Sequence, residues 1–321
     1  MDRDKILSFE QLVLFDKNGF PLPANTSEDF MKELHDMKVR EDDIFVVTYP
    51  KSGTHWMQEI VHLILVEGHG EMLDSRHRQV VIEVADARSI SPEAVAANGP
   101  ILRLMKSAPS PRVLTTHVPS SFLPKQQRET PRKLIYVYRH PKDVIVSYYH
   151  FMLKILEICT GEKVVHSKQQ FANFFDLFIS GKFQYGSWFD HVTGYYEYRD
   201  NVNFLAISFE AMKKDLRAAV QEIASFIGQH LDDASVGRVV EGASLNSMKK
   251  SFRKDQDQNK ALGKNVLNTE LFVNKGQMRQ WKDYFTAEQN QRVDHLFCKK
   301  MQNCHWTEPY APDSEEESST T

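Results

Sequence analysis

The chain of 321 residues reads as an α/β protein, a single domain with a central parallel β-sheet flanked by helices. Three observations predict this. Short apolar, β-branched runs at 44–48, 133–138 and 203–208 have the continuous hydrophobic character of strands buried on both faces. Helical stretches separate these runs, and strands that alternate with helices give a parallel sheet covered on both sides. The first run passes into its helix through a tight loop containing Pro50 and Gly53.

Residues 1–25 read as an extended N-terminal arm whose Phe15, Phe20, Pro21 and Pro23 either drape over a pocket or form a surface tail. Asn25 or Thr26 caps a short helix with Phe30, Met31 and Leu34 on its inner face. Ile44–Thr48 is the first sheet strand, and Pro50, lacking an N–H, ends its pairing. Gly53 lets the backbone turn sharply, and Trp56, Ile60, Leu63 and Ile64 then recur at helical spacing. Such a loop aims backbone N–H groups and the positive end of a helix at one point, which suits an oxyanion. Lys51 adds a full charge, and Ser52 and Thr54 add hydroxyl donors. The lysine precedes the only glycine, so this is not the G-x-x-x-x-G-K-[ST] loop, and taken alone it fits an ordinary strand-to-helix turn equally well.

Ser91-Pro92-Glu93 opens a helix that stops at Asn98-Gly99-Pro100. Val113–Thr116 is the next strand, with His117 at its carboxyl end, and 120–132 is a polar loop. Lys133–Tyr138 follows, ended by Arg139-His140-Pro141, and Asp143–Leu156 is helical. Phe171–Phe178 is a helix, residues 185–188 turn into another, and Asn203–Ser208 is a strand. Lys213–Ile227 is an amphipathic helix closed by Gly228. Residues 243–280 read as a long loop over a site, and Thr286–Gln289 is a capping box opening a last helix through Met301.

At 41% hydrophobic and 26% charged the composition is that of a globular protein with a full core. A net charge of −3 argues against nucleic acid as the main partner. Cys159, Cys298 and Cys304 form no C-x-x-C pair, which points to a reducing compartment and no structural zinc. No apolar run reaches the ~18 residues of a membrane span, and no signal peptide is evident, so the expected location is cytoplasmic. The Lys249–Lys254 run reads as a solvated loop in an acidic protein.

In a parallel sheet, ligands bind outside the carboxyl ends of the strands. Lys51–Trp56, His117 and Arg139 all fall at such ends. Arg139 suits bidentate phosphate binding, and Ser147, eight residues on, can reach the same phosphate from the following helix. His117 is either a base or a structural histidine, and Arg139 either a phosphate ligand or a surface ion pair.

Taken together, T-Y-P-K-S-G-T-x-W at 48–56, T-H-x-P at 116–119, R-x-P-K-D-x-x-x-S-Y-Y-H-F at 139–151 and Y-G-S-W-x-x-H at 185–191 resemble the cytosolic sulfotransferases. The resemblance covers about residues 20–306 and implies a sulfotransferase-like domain at 26–306, between the arm and an acidic, disordered tail at 307–321. It implies a strand–phosphate loop–helix nucleotide-binding core and a co-substrate, 3′-phosphoadenosine 5′-phosphosulfate, with no metal. The reaction implied is in-line transfer of the sulfuryl group to a hydroxyl, or an amine, of a small acceptor such as a phenol, alcohol or steroid. Lys51, Ser52, Gly53 and Thr54, with the backbone of His55, would cradle the phosphosulfate; Trp56 would stack on adenine; Arg139 and Ser147 would hold the 3′-phosphate. Ser244, Lys275 and Gly276 fall on further donor-contacting positions of the family. His117 is implied as general base, Lys51 as the cation at the bridging oxygen, and Phe151, with Phe20 of the arm, as acceptor lining.

The chain departs from that pattern at several points. Thr115 stands where the family has a lysine near the sulfuryl group, His55 where it has a threonine, Phe209 where it has a tyrosine, and Asn274 where it has an arginine. Leu245 takes the place of an aromatic partner of Trp56, and Arg279 either restores lost charge or faces solvent. The short dimer segment of the family becomes Lys282…Thr286-Ala287…Gln291, which leaves a homodimer open. Three other readings compete: a donor-binding protein with weak catalysis, a nucleotide kinase, and a pure scaffold, which leaves His117 and Arg139 unexplained. The kinase reading lacks a glycine-rich loop and a magnesium-binding aspartate at a strand end.

Overall fold

The computed structural model describes residues 8–16, 18–24, 26, 28–72, 81–83, 105, 106, 108–261 and 278–306. The predicted helix at 91–98 and the tail at 307–321 lie outside the described residues.

The described arm is not simply extended. Phe9–Leu12 makes one 3₁₀ turn, and β1 (Val13–Phe15) pairs antiparallel with β2 (Pro21–Pro23). The Asp16 carboxylate closes this hairpin by accepting from the Asn18 and Phe20 amides at 2.8 and 2.7 Å. Gln184 then ties the arm down, its Nε2 donating to the Leu12 carbonyl at 2.6 Å. Helix α1 (Glu28–His35) follows, with Phe30 and Leu34 buried.

The sheet is built from β3 (Ile44–Thr48), β4 (Val113–Thr116), β5 (Lys133–Tyr138) and β6 (Phe204–Ser208), in the order β4-β3-β5-β6 and all parallel. All five residues of β3 are buried, as its uninterrupted apolar run requires of a central strand. Alternation sorts the side chains. Val46 and Val137 enter one core with helices α2 (Thr54–Leu65), α7 (Phe209–Lys214), α8 (Leu216–Phe226) and α9 (Asp233–Gly242). Phe45, Val47 and Tyr136 enter a second core with α4 (Pro141–Thr160), α5 (Lys168–Ile179), α6 (Trp188–Tyr196) and α11 (Ala287–Lys300). Because every strand runs the same way, the four carboxyl ends share one edge.

Three expectations are corrected. The polar loop at 120–132 contains a 3₁₀ turn at Ser120–Phe122 and a short helix α3, Lys125–Glu129. The single amphipathic helix over 213–227 is two helices broken at Asp215, which leaves helical geometry and accepts from the Ala218 amide as the cap of α8. Within the expected loop at 243–280, Leu245–Ala261 is helix α10, and 262–277 lie outside the described residues. Between 245 and 261 there is no glycine or proline, and Met248 and Phe252, one turn apart, are both buried. The few apolar residues thus lie on one face, and their scarcity hid the period.

Candidate active site

The loop after β3 is shaped by two left-handed residues. Lys51 has φ 70°, a conformation that costs a side-chain-bearing residue about 1–2 kcal/mol. Gly53 has φ 108°, and a Cβ there would stand 2.9 Å from the Phe209 ring. Gly53 also caps α2, so the loop amides and the helix N-terminus open together. The Ser52 hydroxyl is fully buried and meets no protein partner among the described residues. Thr54 Oγ1 lies 2.7 Å from Thr48 Oγ1 at the end of the strand.

Arg139, at the end of β5, reaches back to this loop: its Nη1 donates to the Lys51 carbonyl at 3.3 Å and its guanidinium lies 4.4 Å above the Phe209 ring. Phe209 in turn meets Trp56 edge-on at 5.4 Å. The aromatic neighbour of Trp56 is therefore Phe209, while Leu245 is 38% exposed. The Trp56 indole donates to the Ala243 carbonyl at 2.9 Å, which sets it beside Ser244 at the start of α10. Lys51 Nζ lies 4.2 Å from the Phe151 ring centre. Burial, then Lys154 and Arg139, lower the Lys51 ammonium to about 7. Arg279 is exposed; its backbone amide donates to the Asp143 carboxylate at 2.8 Å, and its charge is felt by His140 beside Arg139.

His117 is fastened on four sides. Its Nδ1 donates to the Thr48 carbonyl at 2.8 Å, with Thr48 Oγ1 at 3.1 Å. That bond makes Nδ1 the protonated nitrogen and leaves the lone pair on Nε2. Its backbone amide donates to Glu83 Oε1 at 2.6 Å, and its carbonyl accepts from His191 Nε2 at 3.0 Å. The Tyr185 ring closes the remaining side at 5.3 Å. Burial lowers the His117 imidazole to about 4, with Lys51 acting the same way, so it is neutral at ordinary pH.

The structure thus brings Lys51, Phe151, Arg139, Trp56 and Gly53 into one network and ties His117 to the same strand end through Thr48. Ser147 is half-buried on α4. Phe20 packs on Phe122 at 4.8 Å and against Gly186, outside that network. Lys275, Gly276 and Asn274 lie outside the described residues. Among the described residues no group of three or more His, Cys, Asp or Glu is placed to hold a metal ion, and no helix is long and apolar enough to cross a membrane.

A family model described as the sulfotransferase domain matches residues 41–305 of the chain. The chain belongs to that family. Amine sulfotransferase of Oryctolagus cuniculus is 34% identical over 279 residues, 85% of either chain. Sulfotransferase 1C2 of Rattus norvegicus is 35% identical over 297 residues, 91% of this chain and 93% of the relative. Among solved structures, mouse sulfotransferase SULT7A1 complexed with PAP superposes with a TM-score of 0.71 at 30% identity, covering 91% of this chain and 95% of that one.

Two residues of the candidate site escaped the sequence reading. Glu83 holds both the His117 amide and, at 2.8 Å, the Thr116 hydroxyl, and burial pushes its carboxyl up to about 7. His191 holds the His117 carbonyl while its Nδ1 accepts from the Tyr136 hydroxyl at 2.8 Å. His191 stood in the Y-G-S-W-x-x-H motif, which was the available signal. Glu83, 34 residues from His117, had none.

Proposed function

We propose that the enzyme transfers the sulfuryl group of 3′-phosphoadenosine 5′-phosphosulfate to a hydroxyl or amine of a small phenol, alcohol, steroid or amine acceptor, with His117 as general base. The supporting observation is the tautomer of His117. Its Nδ1–H is held by the Thr48 carbonyl at 2.8 Å, so the basic nitrogen is Nε2, on a ring tied to the same strand end as the Lys51 loop. The 5′-phosphosulfate lies in the loop, where amides of α2, Ser52 and Lys51 meet its charge. Trp56 and Phe209 flank the adenine, and Arg139 with Ser147 takes the 3′-phosphate. Sulfuryl transfer asks for positioning and charge stabilisation more than covalent help, and the cradle supplies both. Lys51 and His117 are both held low in the unliganded site, and an incoming polyanion raises both, which charges the lysine and strengthens the base. Relatives described as an amine sulfotransferase and as complexed with PAP support the acceptor range and the donor.

The test combines labelled donor, a panel of phenols, steroids and amines, and calorimetry with adenosine 3′,5′-bisphosphate. His117→Ala is expected to lower turnover by about 10²–10⁴-fold and leave bisphosphate affinity within about twofold. A parallel loss of both would make His117 structural and overturn the assignment.

A further inference from the structure

The segment Gln184-Tyr185-Gly186 joins the arm to the clamp around His117. Tyr185 is left-handed at φ 68° and Gly186 at φ 74°, a turn that a side-chain-bearing residue enters only at a cost. Such a residue keeps its conformation where its neighbours fix it. The Tyr185 amide donates to the Pro21 carbonyl of β2 at 2.8 Å. The Gly186 carbonyl accepts from the Tyr49 hydroxyl at 2.9 Å. Gln184, 8% exposed, donates to the Leu12 carbonyl at 2.6 Å and accepts from the Tyr148 hydroxyl of α4 at 2.9 Å. Two of these bonds end on backbone carbonyls of the arm. The Phe20 ring closes over the turn, where a Cβ on Gly186 would stand 3.0 Å from it.

The turn delivers the buried Tyr185 ring to 5.3 Å from the His117 ring, edge to face at 71°. The Thr48 contacts meet the imidazole at one atom, Nδ1, which by itself lets the ring plane swing. An edge-to-face neighbour removes that swing, and with it the spread of directions open to Nε2. The same phenol adjoins Glu83: burial, then the charge of Glu83, push it up, and Glu83 holds the His117 amide. The hairpin that presents Phe20 and Pro21 to the turn is shaped by Asp16. Its Oδ1 accepts from the Asn18 and Phe20 amides at 2.8 and 2.7 Å, and its own amide donates to the Phe20 carbonyl at 2.9 Å. A continuous line of contacts therefore runs from the hairpin, through 184–186, to the imidazole.

We propose that the docked arm positions the catalytic base: Asp16 shapes the hairpin, the hairpin and Gln184 fasten Tyr185, and the Tyr185 ring holds the His117 imidazole at the angle that points Nε2 to the acceptor. The inference rests on the reading of His117 as general base. It makes Asp16 and Gln184 positioning residues, which act on turnover without touching the reacting atoms. It also separates the arm from donor binding, since none of these contacts passes through the Lys51 loop.

The experiment compares full-length Asp16→Ala, Asp16→Asn and Gln184→Leu with the unaltered protein, in labelled-donor transfer to its best acceptor and in calorimetry with adenosine 3′,5′-bisphosphate. Asp16→Ala removes the acceptor of both turn amides, and Asp16→Asn keeps an oxygen in its place. Asp16→Ala is expected to lower kcat about fivefold and Gln184→Leu about tenfold, with donor KM and bisphosphate affinity within about twofold. Asp16→Asn is expected to restore most of the loss. A loosened Tyr185 ring also admits water to His117, so in both weakened variants the acidic limb of kcat/KM is expected to move up from about 4 toward 6.5. Urea denaturation confirms that each variant is folded, and the two Asp16 variants decide the matter alone if Gln184→Leu is not. An unchanged kcat and an unmoved limb in Asp16→Ala overturn the inference. So do an effect confined to the acceptor KM, a joint loss of kcat and bisphosphate affinity, or an Asp16→Asn as impaired as Asp16→Ala. Each of these leaves the sulfuryl-transfer reading standing, whereas full turnover by His117→Ala overturns the base and this inference with it.

Discussion

A methyl group at position 53 would stand 2.9 Å from the Phe209 ring in a backbone conformation of φ 108°, so Gly53→Ala must move either the loop or the ring under Arg139. The expected result is a loss of bisphosphate affinity by more than tenfold in calorimetry, together with a lower melting temperature. Glu83 offers a sharper discrimination. Its carboxylate accepts two hydrogen bonds, from the His117 amide and the Thr116 hydroxyl, and an amide has only one oxygen to offer them. Glu83→Gln is expected to lower kcat by about tenfold or more, since one buried donor is left without its partner, while bisphosphate binding is unchanged. The pH dependence follows from two groups of the free enzyme. His117 is unprotonated above about 4, and Lys51 is charged below about 7, so kcat/KM is expected to form a bell with limbs near those values. Initial rates at low donor concentration across pH 4–9 check it. At this scale the sequence made Lys51, Arg139 and His117 visible because they sit on short motifs at strand ends. It hid Glu83, whose meaning lies in a contact between segments that no local pattern connects.

Among the elements, the break at Asp215 has a measurable worth. Its side chain takes the Ala218 amide at 2.9 Å, so Asp215→Ala removes the cap of α8 and is expected to cost about 1 kcal/mol in urea denaturation. Thr286→Ala is expected to cost a similar amount, because the Thr286 hydroxyl and the Gln289 side chain close a capping box at the start of α11. That box was legible from T-x-x-Q alone, three of the four sheet strands were legible from their apolar runs, and Val113–Thr116 was also placed as a strand. The Asp215 cap was not, since the hydrophobic period runs straight through it and only the turned backbone shows two helices. Helix α10 was missed for the opposite reason: few of its residues are apolar, and among its described side chains only Met248 and Phe252 are buried, which leaves too weak a period to see.

For the whole molecule, the burial that builds the site also sets its tolerance of acid. His117, His191, His55 and His140 are lowered from 6.5 to about 4, 3, 3 and 2, so each contributes stability present above 6.5 and lost as pH falls toward its folded value. Glu83, raised from 4.5 to about 7, acts the other way: its contribution is full below 4.5 and is lost as pH rises through 7. Four against one leaves a net uptake of up to about three protons on unfolding, each worth at most about 1.4 kcal/mol per pH unit. Urea midpoints are therefore expected to fall steadily from about pH 6.5 to pH 4. The parallel sheet was legible, and with it the single edge that carries the candidate site, because a parallel arrangement leaves the carboxyl ends together. The docking of the arm through Gln184 and Leu12, 172 residues apart, was not. The most direct test of the cradle is a crystal structure with adenosine 3′,5′-bisphosphate. The account expects the 5′-phosphate within hydrogen-bond distance of Lys51 Nζ and the amides of 52–55, the 3′-phosphate on Arg139, and His117 Nε2 facing the open side of the 5′-phosphate. A nucleotide bound away from the loop, or an imidazole turned from it, would contradict the account.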